Sequence, residues 1–149
     1  MAVARKIKAK IGELLIEKGT INREQLEEAL TLQRATHKNK LLGQIFVEMG
    51  AASEEDIYSA VAAQFGYPYI KITNYSIDQQ VLNFIPKEKA QSLGVMPIDK
   101  IGNILTVAMV NPLEEKIVEN LEKETGLSVK VFVSSFSELK EAVLKNYGP

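Results

Sequence analysis

Lys10 to Gln33, KIGELLIEKGTINREQLEEALTLQ, and Leu41 to Gln64, LLGQIFVEMGAASEEDIYSAVAAQ, align without a gap, the second copy starting 31 residues after the first. Glycines pair at Gly12/Gly43 and Gly19/Gly50, glutamates at Glu17/Glu48 and Glu24/Glu55, alanines at Ala29/Ala60, and each copy closes on a glutamine, Gln33 or Gln64. A fixed period of this size marks one supersecondary unit built twice. Two such units either offer similar surfaces to one pseudo-symmetric ligand or serve as two parts of one small core.

The local grammar is the same in both copies. Ile11, Leu14 and Leu15 fall at helical spacing and stop at Gly19, which suits the left-handed residue that commonly ends a helix. A short helix is therefore expected from about Ile11 to Lys18. Asn22-Arg-Glu-Gln25 then supplies an N-cap side chain with Gln three residues on, the pattern that satisfies the free amides of a new helix. Leu26, Ala29, Leu30 and Gln33 share one face of that helix, because steps of three and four return to the same side. In the second copy Gly50 is the stop, Ser53-Glu-Glu-Asp56 the cap, and Ile57, Ala60, Val61 and Gln64 the face. Each copy reads as helix, tight glycine turn, helix.

Beyond Phe65 the texture changes, with Gly66-Tyr67-Pro68-Tyr69 breaking the helix and a mixed segment running to Ile85. Pro86 suits the first turn of a helix through about Leu93. Val95 to Ile101 and Ile104 to Val110 read as strands joined at Gly102-Asn103, a hairpin signal. Asn111-Pro112 opens a helix bearing Ile117, Val118 and Leu121 and ended by Gly126, Ser128 to Val133 is a third strand, and Ser135-Phe-Ser-Glu138 caps a last helix with Leu139, Val143 and Leu144. The predicted fold is α+β. An N-terminal helical subdomain of two tandem helix-turn-helix repeats (1–70) is followed by a linker (71–85) and a small α/β sandwich of order α-β-β-α-β-α (86–149).

Composition narrows the chemistry. A chain of 149 residues has room for one ordinary domain or two small ones, and its 18 Lys and Arg nearly balance 19 Asp and Glu, so net charge implies no basic face for nucleic acid. There is no cysteine, and the single histidine, His37, lacks the neighbours of a metal constellation. His37, Lys38 and Lys40 lie in a polar spacer and are expected to be solvated. No apolar run is long enough to span a bilayer and no secretory leader opens the sequence, which predicts a cytoplasmic chain without direct membrane insertion.

The repeats carry a family resemblance. The two stretches resemble, with departures, a pattern of an Arg-Leu-Gly opening, a Gly seven residues after the first and a Leu-xxx-Leu-xx-Gln ending in two tandem copies of 24 residues, that of the MshEN domain found at the N-terminus of type II secretion and type IV pilus assembly ATPases. Many members of that family bind cyclic di-GMP. The resemblance implies a ligand site at Lys10, Ile11, Gly12, Gly19, Leu26, Leu30 and Gln33 in the first copy, and at Leu41, Leu42, Gly43, Gly50, Ile57, Val61 and Gln64 in the second. The physical character of these residue types is compatible with such a site. Branched apolar side chains cover a purine face, Gln bonds to a base edge or phosphate, and Gly admits close backbone approach. The same positions also suit plain architecture, as core leucines, helix-ending glycines and a helix-end glutamine. The family's opening arginine is Lys10 in the first copy and Leu41 in the second. Lysine keeps the charge but loses the planar fork, and leucine keeps neither. After the second strand the family's Asp-Pro becomes Asn111-Pro112, so Asn111 joins the site set with a capping oxygen in place of a charge.

No Gly-xxxx-Gly-Lys-Ser/Thr stretch and no Gly-x-Ser-x-Gly elbow exists, so the phosphate loop of a motor and a hydrolase nucleophile are both missing. No enzyme activity and no cofactor are expected, cyclic di-GMP being a candidate regulatory ligand. The resemblance further implies a secretion or pilus ATPase motor domain, or an inner-membrane platform protein, as partner. The alternative from another class is a protein-docking adaptor of a type II secretion system that binds no nucleotide.

Overall fold

The computed structural model describes residues 11–110, 112 and 115–148. Lys10 and Asn111 lie outside the described residues. The chain divides into two compact units, Met1–Val61 and Ala62–Pro149.

The first unit holds α1 (11–17), α2 (Arg23–Ala35), α3 (Leu42–Glu48) and most of α4 (Glu54–Phe65). The glycine stops act as their sequence demands. Gly19 and Gly50 adopt φ of +75° and +73°, a region closed to most side chains. The next residue turns its amide back five positions in each copy, Thr20 N–H to the Leu15 carbonyl and Ala51 N–H to that of Phe46, both at 2.9 Å. The expected caps also form. Asn22 accepts from the Gln25 amide at 2.8 Å while the Gln25 side chain accepts from the Asn22 amide at 2.9 Å, and Ser53 Oγ accepts from the Asp56 amide at 3.1 Å. Both copies pour their apolar faces into one cluster of Leu15, Ile21, Leu26, Ala29, Leu42, Ile45, Phe46, Ile57 and Ala60. Two repeats, each too small to bury its own face, thus make one core.

The second unit is a three-stranded sheet with helices. Its elements are α5 (Lys87–Leu93), β1 (Val95–Ile101), β2 (Ile104–Met109), α6 (Glu115–Thr125), β3 (Ser128–Val133) and α7 (Phe136–Tyr147), the α-β-β-α-β-α order read from the sequence. β2 is central, antiparallel to β1 and parallel to β3. That placement explains its run of Leu105 to Met109, buried throughout, since a central strand covered on both faces has no solvent side. The β1 register shifts between Pro97 and Asp99, and the Ile98 carbonyl accepts the Asp78 amide at 3.0 Å.

Residues 71–85, expected as a linker, are instead built into this unit. They carry two 3-10 turns, Ile72–Asn74 and Gln79–Phe84, and bury Ile72, Val81 and Ile85. The division between units falls inside α4 rather than near residue 70, because Pro68 and Ile70 are already tied to β3: the Ile70 N–H donates to the Val133 carbonyl at 2.9 Å and the Val133 N–H to the Pro68 carbonyl at 2.8 Å. Among the described residues no helix is long and apolar enough to cross a membrane, and no group of His, Cys, Asp and Glu is placed to hold a metal ion.

Candidate functional site

Twelve of the fifteen candidate residues lie in the repeat unit: Ile11, Gly12, Gly19, Leu26, Leu30, Gln33, Leu41, Leu42, Gly43, Gly50, Ile57 and Val61. They fall into three groups. Gly12 and Gly43 are helical and sit where α1 meets α2 and α3 meets α4. A methyl group at Gly12 would lie 2.4 Å from Leu26 Cδ1, and one at Gly43 would lie 3.1 Å from Ile57 Cγ2. Leu26 and Ile57 are equivalent positions of the two copies, so the same glycine-to-branched-side-chain approach is made twice. Leu26, Leu42, Ile57 and Val61 are buried, while Ile11, Leu30, Leu41 and Gly43 are half-buried and keep some surface for a ligand. Gly19 and Gly50 are exposed, and open space surrounds both.

The glutamines differ. Gln33, near the end of α2, is buried, and its Nε2 donates to the Lys40 carbonyl at 2.9 Å. Gln64, near the end of α4, belongs to the second unit and is exposed, and its side chain makes no hydrogen bond among the described residues. Lys10 and Asn111 lie outside the described residues and add no geometry.

The spacer between copies is more structured than a solvated loop. Lys40 Nζ reaches Glu48 Oε1 at 2.6 Å, His37 Nε2 stands 3.7 Å from Glu48 Oε2, and Thr36 Oγ1 lies 2.6 Å from His37 Nδ1. His37 and Lys40 keep solvent exposure, as expected, and these surface contacts join both to Glu48 at the end of α3. The recurrence of Glu17 and Glu48 was the available signal. In the first copy the exposed ion pair is different, Arg23 Nη2 to Glu13 Oε2 at 2.8 Å, and the hydrogen bond from Arg23 holds the Glu13 carboxyl below its usual range.

Two helix-turn-helix copies sharing one core, followed by a three-stranded α+β unit, define an N-terminal domain of the kind carried by secretion and pilus ATPases. The chain belongs to the MshEN domain family, whose model matches residues 65–149. Type IV pilus assembly ATPases PilB of Myxococcus xanthus and Thermus thermophilus are each 30% identical over 93% of the chain. The chain spans 24% and 16% of their lengths. Among solved structures, MshE with cdg is 25% identical, covering 92% of this chain and 98% of that one at a TM-score of 0.75. The N-terminal domain of XpsE shares the fold at a TM-score of 0.78 and 19% identity, over 94% and 95% of the two chains. The family match covers the α/β half, whereas the two pilus relatives and MshE extend over the repeats as well.

Proposed function

We propose that this chain is a cytoplasmic, non-catalytic regulatory domain that binds cyclic di-GMP across its two 24-residue motifs and passes that signal to a secretion or pilus ATPase motor. The observation that carries the reading is the doubled geometry of the repeat unit. The same glycine approach and the same left-handed turn occur twice around one core. A ligand with two equivalent halves suits a surface built from two related motifs. MshE, similar over 92% of this chain, has been solved with cdg, which supports cyclic di-GMP as that ligand. Leu30, Leu41 and Ile11, all in the repeat unit, have surface to cover a purine.

Calorimetric titration with cyclic di-GMP tests the proposal. Saturable heat with a stoichiometry of one supports it, and no heat or competition at high micromolar ligand sinks it.

A second reading, a docking adaptor that recruits a motor to an inner-membrane platform protein without nucleotide, is favoured by Leu41, which places no cation at the opening of the second copy. Thermal melting separates the two, because a ligand selective for the folded state raises the midpoint. A flat midpoint across cyclic dinucleotides selects the adaptor.

A further inference from the structure

Gln33 and Gln64 are the same residue at the same motif position, yet they stand in different chemistry. The Gln33 amide is buried and donates to the carbonyl of Lys40, the residue immediately before the second copy. Lys40 is also held at its other end, Nζ on Glu48 Oε1 at 2.6 Å. Between them the backbone closes on itself: the Thr36 and His37 amides both reach the Leu32 carbonyl, at 2.9 and 2.8 Å, and the Lys40 amide reaches that of His37 at 3.0 Å. Next comes Leu41, the N-cap of α3. It offers no side-chain cap, and only its backbone carbonyl, accepting the Ile45 amide at 3.1 Å, starts the helix. An N-cap without a side-chain acceptor depends on the backbone before it for its placement.

From this we infer that Gln33 is a positioning residue for the second copy: by clamping the Lys40 carbonyl onto the end of α2, it sets the entry of the chain into Leu41, Leu42 and Gly43. Gln64 makes no such clamp, and its amide stays open to solvent and to a ligand. The two motifs are thus unequal by construction. Toward cyclic di-GMP, where the inference rests on the binding proposed above, Gln33 acts through the second copy.

Amide hydrogen exchange on the 149-residue chain tests the role without any ligand. Gln33→Met keeps the length and removes the donor. Loss of one such bond predicts roughly fivefold faster exchange at the Ile45 amide. The amides of Lys18 and Leu26, bonded to the Leu14 and Asn22 carbonyls at 3.0 and 3.1 Å, report on the first copy and stay unchanged. Gln64→Met leaves the Ile45 amide as it was. Equal acceleration at Ile45, Lys18 and Leu26, as a general loss of stability produces, overturns the inference, and so does an unchanged Ile45 amide.

The unaltered chain gives a second measurement that no folding failure can spoil. In its nuclear magnetic resonance spectrum the Nε2 protons of Gln33 exchange slowly beside those of Gln64, and equally fast exchange overturns the assignment. Titration with cyclic di-GMP completes the test. An unaltered chain that takes no ligand defeats the binding proposal and leaves the exchange result to decide the role of Gln33. An unaltered chain that binds while Gln33→Met binds equally well shows that Gln33 does not position the site.

Discussion

Gly12 stands so close to Leu26 that a methyl group added to it would meet Cδ1 at 2.4 Å and Cδ2 at 2.9 Å. Leu26 is 3% exposed and surrounded by the shared core, so its side chain has little room to withdraw. The approach of α1 to α2 is therefore set by the missing side chain, and the approach of α3 to α4 repeats it more loosely at Gly43 and Ile57.

This difference predicts an order of mutational cost. Alanine in a helix gains about 1 kcal/mol over glycine, whereas overpacking a filled core costs about 1–3 kcal/mol. Gly12→Ala is expected to lose up to about 2 kcal/mol in urea denaturation, and Gly43→Ala to be close to neutral, because 3.1 Å asks only a few tenths of an ångström of its neighbour. Leu26→Ala in the Gly12→Ala background should relieve the clash, giving a favourable coupling in the double-mutant cycle. A larger loss at Gly43 than at Gly12 would contradict this packing.

The second glycines make a different prediction. Gly19 and Gly50 have open space around them and nearly the same positive φ, so what a substitution there meets is backbone strain alone. Gly19→Ala and Gly50→Ala should each cost about 1–2 kcal/mol, and asparagine at either site should recover part of it. Equal costs in the two copies, measured by thermal melting, are the expected result. A neutral effect at one site alone would mean that its turn is not held in the left-handed region.

Much of the fold is legible because punctuation and period agree. Asn22 with Gln25, Ser53 with Asp56, and Gly19 and Gly50 each name a helix boundary through a specific hydrogen bond or a specific φ, and all are found in that role. Residues 95–101 and 128–133 alternate or run apolar between turn signals, and their strands have those bounds. Residues 71–85 stayed illegible because a single 3-10 turn has no period to detect, and Ile72, Val81 and Ile85 are buried by tertiary packing alone. The unit boundary inside α4 was hidden for a related reason. Ile57, Tyr58, Ala60, Val61 and Ala62 are all buried, so the helix carries one continuous apolar pattern across the division. In the candidate site the pairing of positions is visible in the sequence, but the parting of Gln33 from Gln64 is not. The acceptor for Gln33 is a backbone carbonyl, and every residue has one.

In the second unit, Tyr147 donates its hydroxyl to the Ile85 carbonyl at 2.7 Å, and burial pushes its pKa up to about 12. The folded state thus holds the phenol proton more tightly than the unfolded chain, where tyrosine titrates near about 10. Its contribution to stability is complete below pH of about 10 and is lost as pH rises from there toward about 12. Tyr147→Phe should cost about 1 kcal/mol at neutral pH, for the lost hydrogen bond, and should flatten the alkaline limb of a stability profile. An alkaline limb as steep in the phenylalanine variant as in the parent would assign that loss to other groups.

Leu41 offers the sharpest test of ligand binding in the second copy. It is half-buried at the N-cap of α3 and brings no charge, where the resembling motif has arginine, and the nearest structured cation, Lys40, is already bound to Glu48. Leu41→Arg restores a planar, permanently charged fork able to make two parallel bonds to a phosphate. The added cation at a helix start works against the dipole by about 0.3–1 kcal/mol, so a slightly lower melting midpoint without ligand is expected. Against that, a charge-assisted pair contributes about 1.5–3 kcal/mol, and cyclic di-GMP should bind roughly tenfold tighter by calorimetry. Leu41→Lys should gain less, because an ammonium makes no paired bonds. If arginine and lysine tighten binding equally, the gain is general electrostatics, and the second copy does not grip a phosphate or base edge through its opening residue.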